Sequence, residues 1–200
     1  MKIISGTLKG KRISARVGKG LRPTSAKVRE ALFDILGAGV KGASFLDLYA
    51  GTGTVGFEAL SRGSAGVLFV DISDSSIKAI RAQPLFAQSP RNRAISGKAS
   101  TVLKKLTRDG ETFGIVFVDP PYGSEEIDVM LPLLGSGTGG LLGEGAVVVV
   151  EHFFKRRVPE TAGCLVLRRS YRYGDTMLSF YEATSRDVPA DCAGQENGNP

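Results

Sequence analysis

The stretch that decides the fold is residues 43–63, ASFLDLYAGTGTVGFEALSRG. It begins with an apolar run typical of a buried strand and ends with a helical pattern that Gly63 closes. Between the two, Gly51, Gly53 and Gly56 match the spacing G-x-G-x-x-G, with a strand before and a helix after. This arrangement predicts a strand–turn–helix unit whose backbone can approach a ligand closely.

The same order of strand and helix continues along the chain. Apolar strands that alternate with helices belong to a parallel sheet covered on both faces. Ser73 or Asp74 is expected to cap the second helix of the series, and Pro84 to bend or end it. Further strands are predicted at residues 65–71, 91–97, 113–119 and 145–152, and further helices at 73–86, 99–110 and 125–134.

Both ends of the chain depart from this alternation. Residues 164–183 give two strand-like runs with no room for a helix between them, so the last strand is expected to run antiparallel to its neighbour.

The prediction is an α/β, Rossmann-like fold: a mostly parallel seven-stranded sheet with an antiparallel last strand, and helices on both faces. Residues 1–20 predict a small basic β-hairpin, residues 21–184 the main domain, and residues 185–200 a disordered tail.

The composition excludes several classes of protein. The 200 residues are 42% hydrophobic and 23% charged, as in an ordinary globular protein, and no run is long and apolar enough to span a membrane. The first residues lack the features of a signal peptide, which predicts a cytoplasmic protein. With His152 as the only histidine, and with two separate cysteines, neither a zinc site nor a Ser-His-Asp triad is expected, and no metal is predicted.

The net charge of +6 is concentrated near the start of the chain. Residues 1–30 contain nine basic residues against Glu30 alone, a net charge of +8. Such an arm is expected for a partner with a phosphate backbone, although a solvated surface is the alternative. The basic residues are Lys2, Lys9, Lys11, Arg12, Arg16, Lys19, Arg22, Lys27 and Arg29.

Residues 116–123, VFVDPPYG, end the fourth predicted strand with an acid, two prolines and an aromatic ring. The prolines fix two successive φ angles near −65° and remove two N–H donors, so the neighbouring carbonyls have no partner in the sheet. Ligands of an open parallel sheet lie beyond the carboxyl ends of its strands, so Asp119 is expected to share a crevice with the glycine loop. Asp119 and the Pro120 carbonyl could accept the hydrogens of an exocyclic base amine, and Tyr122 could stack on the base.

Two further acids suggest which cofactor the crevice takes. Asp47 precedes the glycine loop, where its charge would oppose a pyrophosphate and favour a cationic amine. Asp71 ends the next strand, about twenty residues past the loop, where an acid can bind a ribose. S-adenosylmethionine carries an ammonium, a sulfonium and no phosphate, so it is favoured over a nicotinamide dinucleotide.

These motifs resemble the class I S-adenosylmethionine-dependent methyltransferases that modify exocyclic amines. Four segments in order, GTLKGKRI, GLRPTSAKVREALFDIL, FLDLYAGTGTVGFEALSRG and FVDPPY, resemble the RsmD family of small-subunit ribosomal RNA guanine-N2 methyltransferases over most of residues 1–182. The resemblance implies a class I methyltransferase fold and methylation of a guanine N2 in 16S ribosomal RNA, such as the guanine at position 966. The expected partner is ribosomal RNA or a small-subunit assembly particle, without a membrane, and the protein is expected to be a monomer.

The resemblance further implies roles for particular residues. The catalytic residues, which would contact the target base, are Asp119, Pro120, Pro121 and Tyr122. The cofactor-binding residues are Asp47, Tyr49, Ala50, Gly51, Thr52, Gly53, Asp71, Ile72, Lys98, Ala99 and Asp119. The RNA-binding residues are Lys9, Lys11, Arg12, Arg22, Pro23 and Thr24. One departure is Lys98, where such enzymes often have Asp or Asn to bind the adenine amine; lysine has no acceptor, so a backbone group or Ser96 would have to serve.

Four other functions stay open on the sequence. A DNA adenine-N6 or a protein glutamine-N5 methyltransferase would use the same amine motif. A nicotinamide oxidoreductase would use the glycine loop, and would be recognised by stabilisation with NAD. A non-catalytic RNA-binding module would bind RNA with a steep salt dependence and transfer no methyl group.

Overall fold

The computed structural model describes residues 1–14, 25–136 and 140–184. Within them the chain forms five α-helices, two short 3-10 helices (Gly37–Val40 and Phe86–Gln88) and one eight-stranded sheet. The α-helices are α1 (Ala26–Leu36), α2 (Thr54–Ser61), α3 (Asp74–Arg81), α4 (Ala99–Arg108) and α5 (Glu126–Gly135). The strands are β1 (Ser44–Leu48), β2 (Gly66–Asp71), β3 (Arg93–Ser96), β4 (Phe113–Val118), β5 (Leu142–Phe153), β6 (Thr161–Ala162), β7 (Leu165–Tyr173) and β8 (Thr176–Ala183).

The strand order is β3-β2-β1-β4-β5-β8-β7-β6. The first five strands of this order are parallel, and β5, β8, β7 and β6 pair antiparallel with one another. The chain builds β2 and β3 on one side of β1 and then returns to place β4 on the other side. The point where the order reverses therefore lies between β1 and β4, which is where open α/β sheets bind their ligands.

The sheet has an apolar core on each face. Val116 and Val118 of β4 pack into the core that also contains residues of α4 and α5, and Ile115 and Phe117 pack into the core shared with α1, α2 and α3. All four side chains are buried, which accounts for the continuous apolar run of this strand. The predicted arrangement of helices on both faces is therefore confirmed.

The predicted fold class is confirmed, but the sheet has eight strands where the sequence predicted seven. The additional strand is β6, whose two residues pair with Leu165 and Val166 of β7. A strand of two residues is too short to show an alternating pattern, so the sequence does not distinguish it from a loop. The last strand is antiparallel as predicted, and it is inserted between β5 and β7.

Two helices begin after a serine that caps them, and the cap of α3 is one that the sequence predicts. α1 begins after Ser25, whose hydroxyl accepts a hydrogen bond from the N–H of Val28 at 3.2 Å. α3 begins after Ser73, whose hydroxyl accepts from the N–H of Ser76 at 3.3 Å, and it ends at Arg81, before Pro84. Each hydroxyl satisfies a backbone donor that has no partner within its helix.

The N-terminal segment doubles back on itself and is held against α2. An antiparallel bridge joins Lys2 to Arg12. The Glu58 side chain on α2 is fully buried, and its carboxylate accepts hydrogen bonds from the N–H groups of Ile4 and Ser5 at 2.8 and 2.9 Å. Residues 15–24 and 185–200, which include the rest of the predicted hairpin and the predicted tail, lie outside the described residues.

Within the described ranges, none of the helices combines the length and apolar character that crossing a membrane requires.

Candidate active site

Predicted site residues lie where the parallel strands β1, β2 and β4 end, beside β5, which continues to Phe153. Leu48 of β1 is opposite both Val70 of β2 and Val118 of β4, and Val118 is opposite Val150 of β5. The next residue of each strand therefore lies at about one level across the sheet. These residues are Tyr49, Asp71, Asp119 and Glu151. The strand order reverses between β1 and β4. The glycine loop, which follows β1, and the turn of residues 119–122, which follows β4 and is called the DPPY turn, therefore begin side by side, as predicted.

Asp47 is withdrawn from solvent directly beneath the glycine loop. Its side chain is 2% exposed, and its Oδ2 accepts a hydrogen bond from the N–H of Gly56 at 2.9 Å. Burial raises the pKa of Asp47 to about 7; the hydrogen bond from Gly56 opposes this shift, and the nearby charge of Asp71 adds to it. In the described part of the chain, no lysine or arginine forms an ion pair with this carboxyl group. Asp47 is therefore a buried acid that lacks a compensating cation from those residues.

Asp71 organises the glycine loop. Its Oδ2 accepts a hydrogen bond from the N–H of Gly51 at 2.7 Å, and its Oδ1 accepts from the N–H of Ser73 at 2.8 Å. Gly51 and Gly53 have positive φ angles of 53° and 72°, a conformation that favours glycine. The loop residues Ala50, Gly51 and Thr52 are half-buried. Each carboxylate oxygen of Asp71 retains a lone pair for a further donor.

Tyr49 connects the glycine loop to the element after the DPPY turn. It has a φ of 62° and is the only non-glycine residue with a positive φ within the described ranges. Its hydroxyl donates a hydrogen bond to Oε2 of Glu126, in the first turn of α5, at 2.7 Å. Burial raises the pKa of Tyr49, and the hydrogen bond and charge of Glu126 act in the same direction, so the phenol remains a donor.

The DPPY turn presents one exposed ring beside a half-buried acid. Asp119 is half-buried and Pro120 is buried, whereas Tyr122 is 41% exposed. The Pro121 carbonyl accepts hydrogen bonds from both the N–H and the hydroxyl of Ser124, at 3.2 and 2.7 Å, so it belongs to the turn. The Tyr122 hydroxyl lies 3.0 Å from Oγ1 of Thr176 on β8. The turn is thus held by its own residues and by the antiparallel end of the sheet.

The ends of β2 and β3 supply the remaining predicted cofactor residues. Ile72 is 75% exposed, which is unusual for a large apolar side chain. Lys98 is exposed at the start of α4 without a side-chain capping bond, and Ala99 is buried. Ser96, the alternative acceptor, is exposed and lies opposite Asp71 in the sheet. These residues belong to the same edge as the glycine loop.

The predicted RNA-binding residues that the structure describes do not join this group. Lys9, Lys11 and Arg12 belong to the segment held against α2, where the N–H of Thr7 donates to the carbonyl of Ser61 at 2.8 Å. Ser61 ends α2, whereas the glycine loop precedes its first residue, so the eight-residue helix separates the two features. The other predicted RNA-binding residues, Arg22, Pro23 and Thr24, lie outside the described residues.

The sequence reasoning did not single out Glu151. This side chain is 5% exposed and follows Val150, the partner of Val118, so it lies beside Asp119 on the neighbouring strand. The signal was present, because Glu151 follows an apolar run just as Asp71 and Asp119 follow theirs. The next residue, His152, received no role; it is buried, with Nε2 2.8 Å from Oγ of Ser179, and burial lowers its pKa.

Comparisons with known proteins agree on one family. The family model described as Conserved hypothetical protein 95 matches residues 1–182. The Bacillus subtilis protein named "Putative rRNA methyltransferase YlbH" is 33% identical over 183 residues, which are 91% of this chain and 98% of that protein. The Escherichia coli "Ribosomal RNA small subunit methyltransferase D" is 29% identical over 182 residues, 91% of this chain and 89% of its own. A solved structure, "Putative methyltransferase yhhF from Escherichia coli", has a TM-score of 0.79 at 29% identity and covers 92% of this chain and 98% of its own.

Proposed function

The chain belongs to the family described as Conserved hypothetical protein 95, the RsmD family of class I methyltransferases, and on this premise we propose that it methylates the exocyclic N2 amine of a guanine in small-subunit ribosomal RNA. The observation that carries the proposal is the register of β1 and β4, which starts the glycine loop and the DPPY turn side by side at the reversal of strand order. Relatives named as ribosomal RNA methyltransferases support RNA as the substrate.

The cofactor is S-adenosylmethionine, which supplies an electrophilic methyl group on a sulfonium when bound. The residues present fit this group, because the Asp47 carboxyl group forms no ion pair with a lysine or arginine of the described residues, and the ammonium of the cofactor would stabilise its charged form. Asp71 keeps lone pairs for ribose hydroxyls after accepting from Gly51 and Ser73. The exposed Ile72, next to Asp71, would cover an adenine ring.

Asp119 and Pro120 act on the target amine. The lone pair of an exocyclic amine is delocalised into the base, so the nitrogen is a weak nucleophile until its two hydrogens are held by acceptors. The Asp119 carboxylate accepts one hydrogen and the Pro120 carbonyl the other, since the Pro121 carbonyl is bonded to Ser124. Holding both hydrogens aims the lone pair at the methyl group, and the released proton passes to Asp119 or to water.

Tyr122 holds the base in place. Its 41% exposure leaves a ring surface for stacking, and its hydroxyl contact with Thr176 limits the orientation of that ring. A guanine reaches this position only when it leaves its helix or loop, as enzymes that act on bases require. Lys9, Lys11 and Arg12 contact the RNA backbone farther from the reacting base.

The test is transfer of a tritiated methyl group from S-adenosylmethionine to small-subunit ribosomal RNA that lacks the modification, both as free RNA and in small ribosomal subunits. Digestion to nucleosides is expected to place the label in N2-methylguanosine, and sequencing of labelled ribonuclease fragments is expected to map it to the position 966 guanine of 16S RNA or its equivalent. The Asp119→Ala variant, which should still bind S-adenosylhomocysteine, is the matched control. Label in DNA adenine or protein glutamine, and none in RNA, would refute the assignment.

A further inference from the structure

A group of aromatic and basic side chains lies beside Tyr122 and has no role in the chemistry described above. We call Phe153, Phe154, Lys155 and Arg172 the aromatic–basic patch. The rings of Phe153 and Phe154 meet edge to face at a centroid distance of 4.8 Å. The Arg172 guanidinium lies over the Phe154 ring at 3.8 Å, and Nζ of Lys155 lies 5.7 Å from the same ring.

The patch is continuous with the DPPY turn. The Tyr122 and Phe153 ring centroids are 6.1 Å apart. Phe153 ends β5 and is opposite Thr176, the residue that contacts the Tyr122 hydroxyl at 3.0 Å. The Phe154 N–H donates to the carbonyl of Asp175 at 2.9 Å. The patch therefore extends the surface of Tyr122 over the turn between β7 and β8.

Arg172 is held in one orientation on this surface. One face of its guanidinium is against Phe154, and its Nε donates to the carbonyl of Gly174 at 2.8 Å. The residue is nevertheless exposed, so the outer side of the guanidinium faces solvent. A planar guanidinium fixed in this way can stack on a nucleic-acid base without losing further side-chain entropy.

The charge of the patch suits a polyanion. Arg156 and Arg168 form ion pairs with Asp128 and Glu182, at 2.6 and 2.9 Å. Arg172 and Lys155 form no ion pair within the described part of the chain. Their charges are therefore available to a phosphate group.

We infer that the aromatic–basic patch binds an unpaired nucleotide next to the target guanine, with its base stacked on Arg172 and its phosphate near Lys155. This inference rests on the proposed function, because the nucleotide is part of the same RNA. Stacking of this kind tolerates any base, since every base has a π face. The patch thus selects unpaired RNA around the target rather than a base sequence.

The test measures steady-state methyl transfer to the small-subunit RNA for three variants: Arg172→Gln, Arg172→Lys and Phe154→Leu. Arg172→Gln and Phe154→Leu are expected to raise the KM for RNA by about 5- to 100-fold. The KM for S-adenosylmethionine and the melting temperature should stay unchanged. The matched control is Arg168→Gln, an exposed arginine on the same strand that is paired with Glu182, and it should behave as the wild type.

The lysine variant separates stacking from simple charge. Arg172→Lys keeps the positive charge but lacks the planar group, so its KM for RNA should rise nearly as far as that of Arg172→Gln. In filter-binding assays Arg172→Lys should keep the salt dependence of the wild type, whereas Arg172→Gln should lower the slope by about one. A wild-type KM for Arg172→Lys would refute stacking on the guanidinium.

The outcome also distinguishes this inference from the proposed function. A wild-type protein that methylates RNA, with all three variants within twofold of its KM, would overturn the patch alone. A wild-type protein that binds RNA through Arg172 but transfers no methyl group would overturn the proposed reaction alone. If the wild-type protein transfers no methyl group and all three variants still bind RNA as it does, both the patch and the proposed reaction would be overturned.

Discussion

Replacing Asp47 by asparagine tests whether the buried carboxyl group of this residue binds the positive charge of the cofactor. The amide keeps the shape of the side chain, and its oxygen can still accept from the N–H of Gly56, a bond of 2.9 Å in the native protein. Only the charge is removed. We expect the variant to be the more stable protein at high pH and the weaker binder of the cofactor.

The magnitude follows from the pKa. Burial raises the pKa of Asp47 from 3.8 to about 7, and each pKa unit corresponds to about 1.4 kcal/mol. The folded carboxyl group therefore keeps its proton up to about pH 7, while the unfolded chain loses it near pH 4. The wild type loses stability relative to the variant as pH rises through this window, by about 4 kcal/mol in total and about 3 kcal/mol between pH 4.5 and 8.5.

The assay is urea unfolding of both proteins at several pH values, with and without S-adenosylhomocysteine. The variant's advantage in free energy of unfolding should grow with pH, and the ligand should stabilise the wild type more than the variant, with at least a tenfold difference in affinity. Asp175→Asn, the same chemical change at an exposed turn, is the control. If the difference in free energy of unfolding between wild type and variant stayed constant with pH, the reasoning would be refuted. The charge on Asp47 would then not destabilise the folded protein.

Three further changes test other parts of the structure. Asp119→Ala should lower kcat at least 100-fold, because the amine loses a positioned acceptor. Calorimetry should give an affinity for S-adenosylhomocysteine within about threefold of the wild type. Undiminished turnover would contradict the role assigned to Asp119. Gly56→Ala should reduce the free energy of unfolding by about 1–3 kcal/mol in urea titrations, because the added Cβ would lie 2.3 Å from Cε1 of Phe69 in a packed core. If the variant were as stable as the wild type, the Phe69 ring would be able to move away. Changing Lys11 and Arg12 together to alanine should weaken RNA binding and lower the salt slope by about two, and an unchanged slope would place the RNA surface elsewhere.

The sequence by itself determined the succession of strands and helices. Each parallel strand is buried on both faces, so its residues form a continuous apolar run that can be recognised without knowing its neighbours. The glycine loop and the DPPY turn could also be recognised from neighbouring residues alone. Glycines allow positive φ angles, and successive prolines fix the backbone, at the positions where they occur. From these features alone, Asp47, Asp71 and Asp119 were correctly expected at the carboxyl ends of strands.

Only the tertiary structure decided which strands are neighbours and what surrounds each side chain. The order β5-β8-β7-β6 and the position of Glu151 beside Asp119 follow from pairing between distant parts of the chain, on which local periodicity carries no information. The raised pKa of Asp47 depends on the layers that exclude water from it, and Phe154 meets Arg172 only because β8 brings the ends of β5 and β7 together. Burial and long-range contact are properties of packed layers, which is why residue pattern alone could place the reactive groups but could not supply their environment.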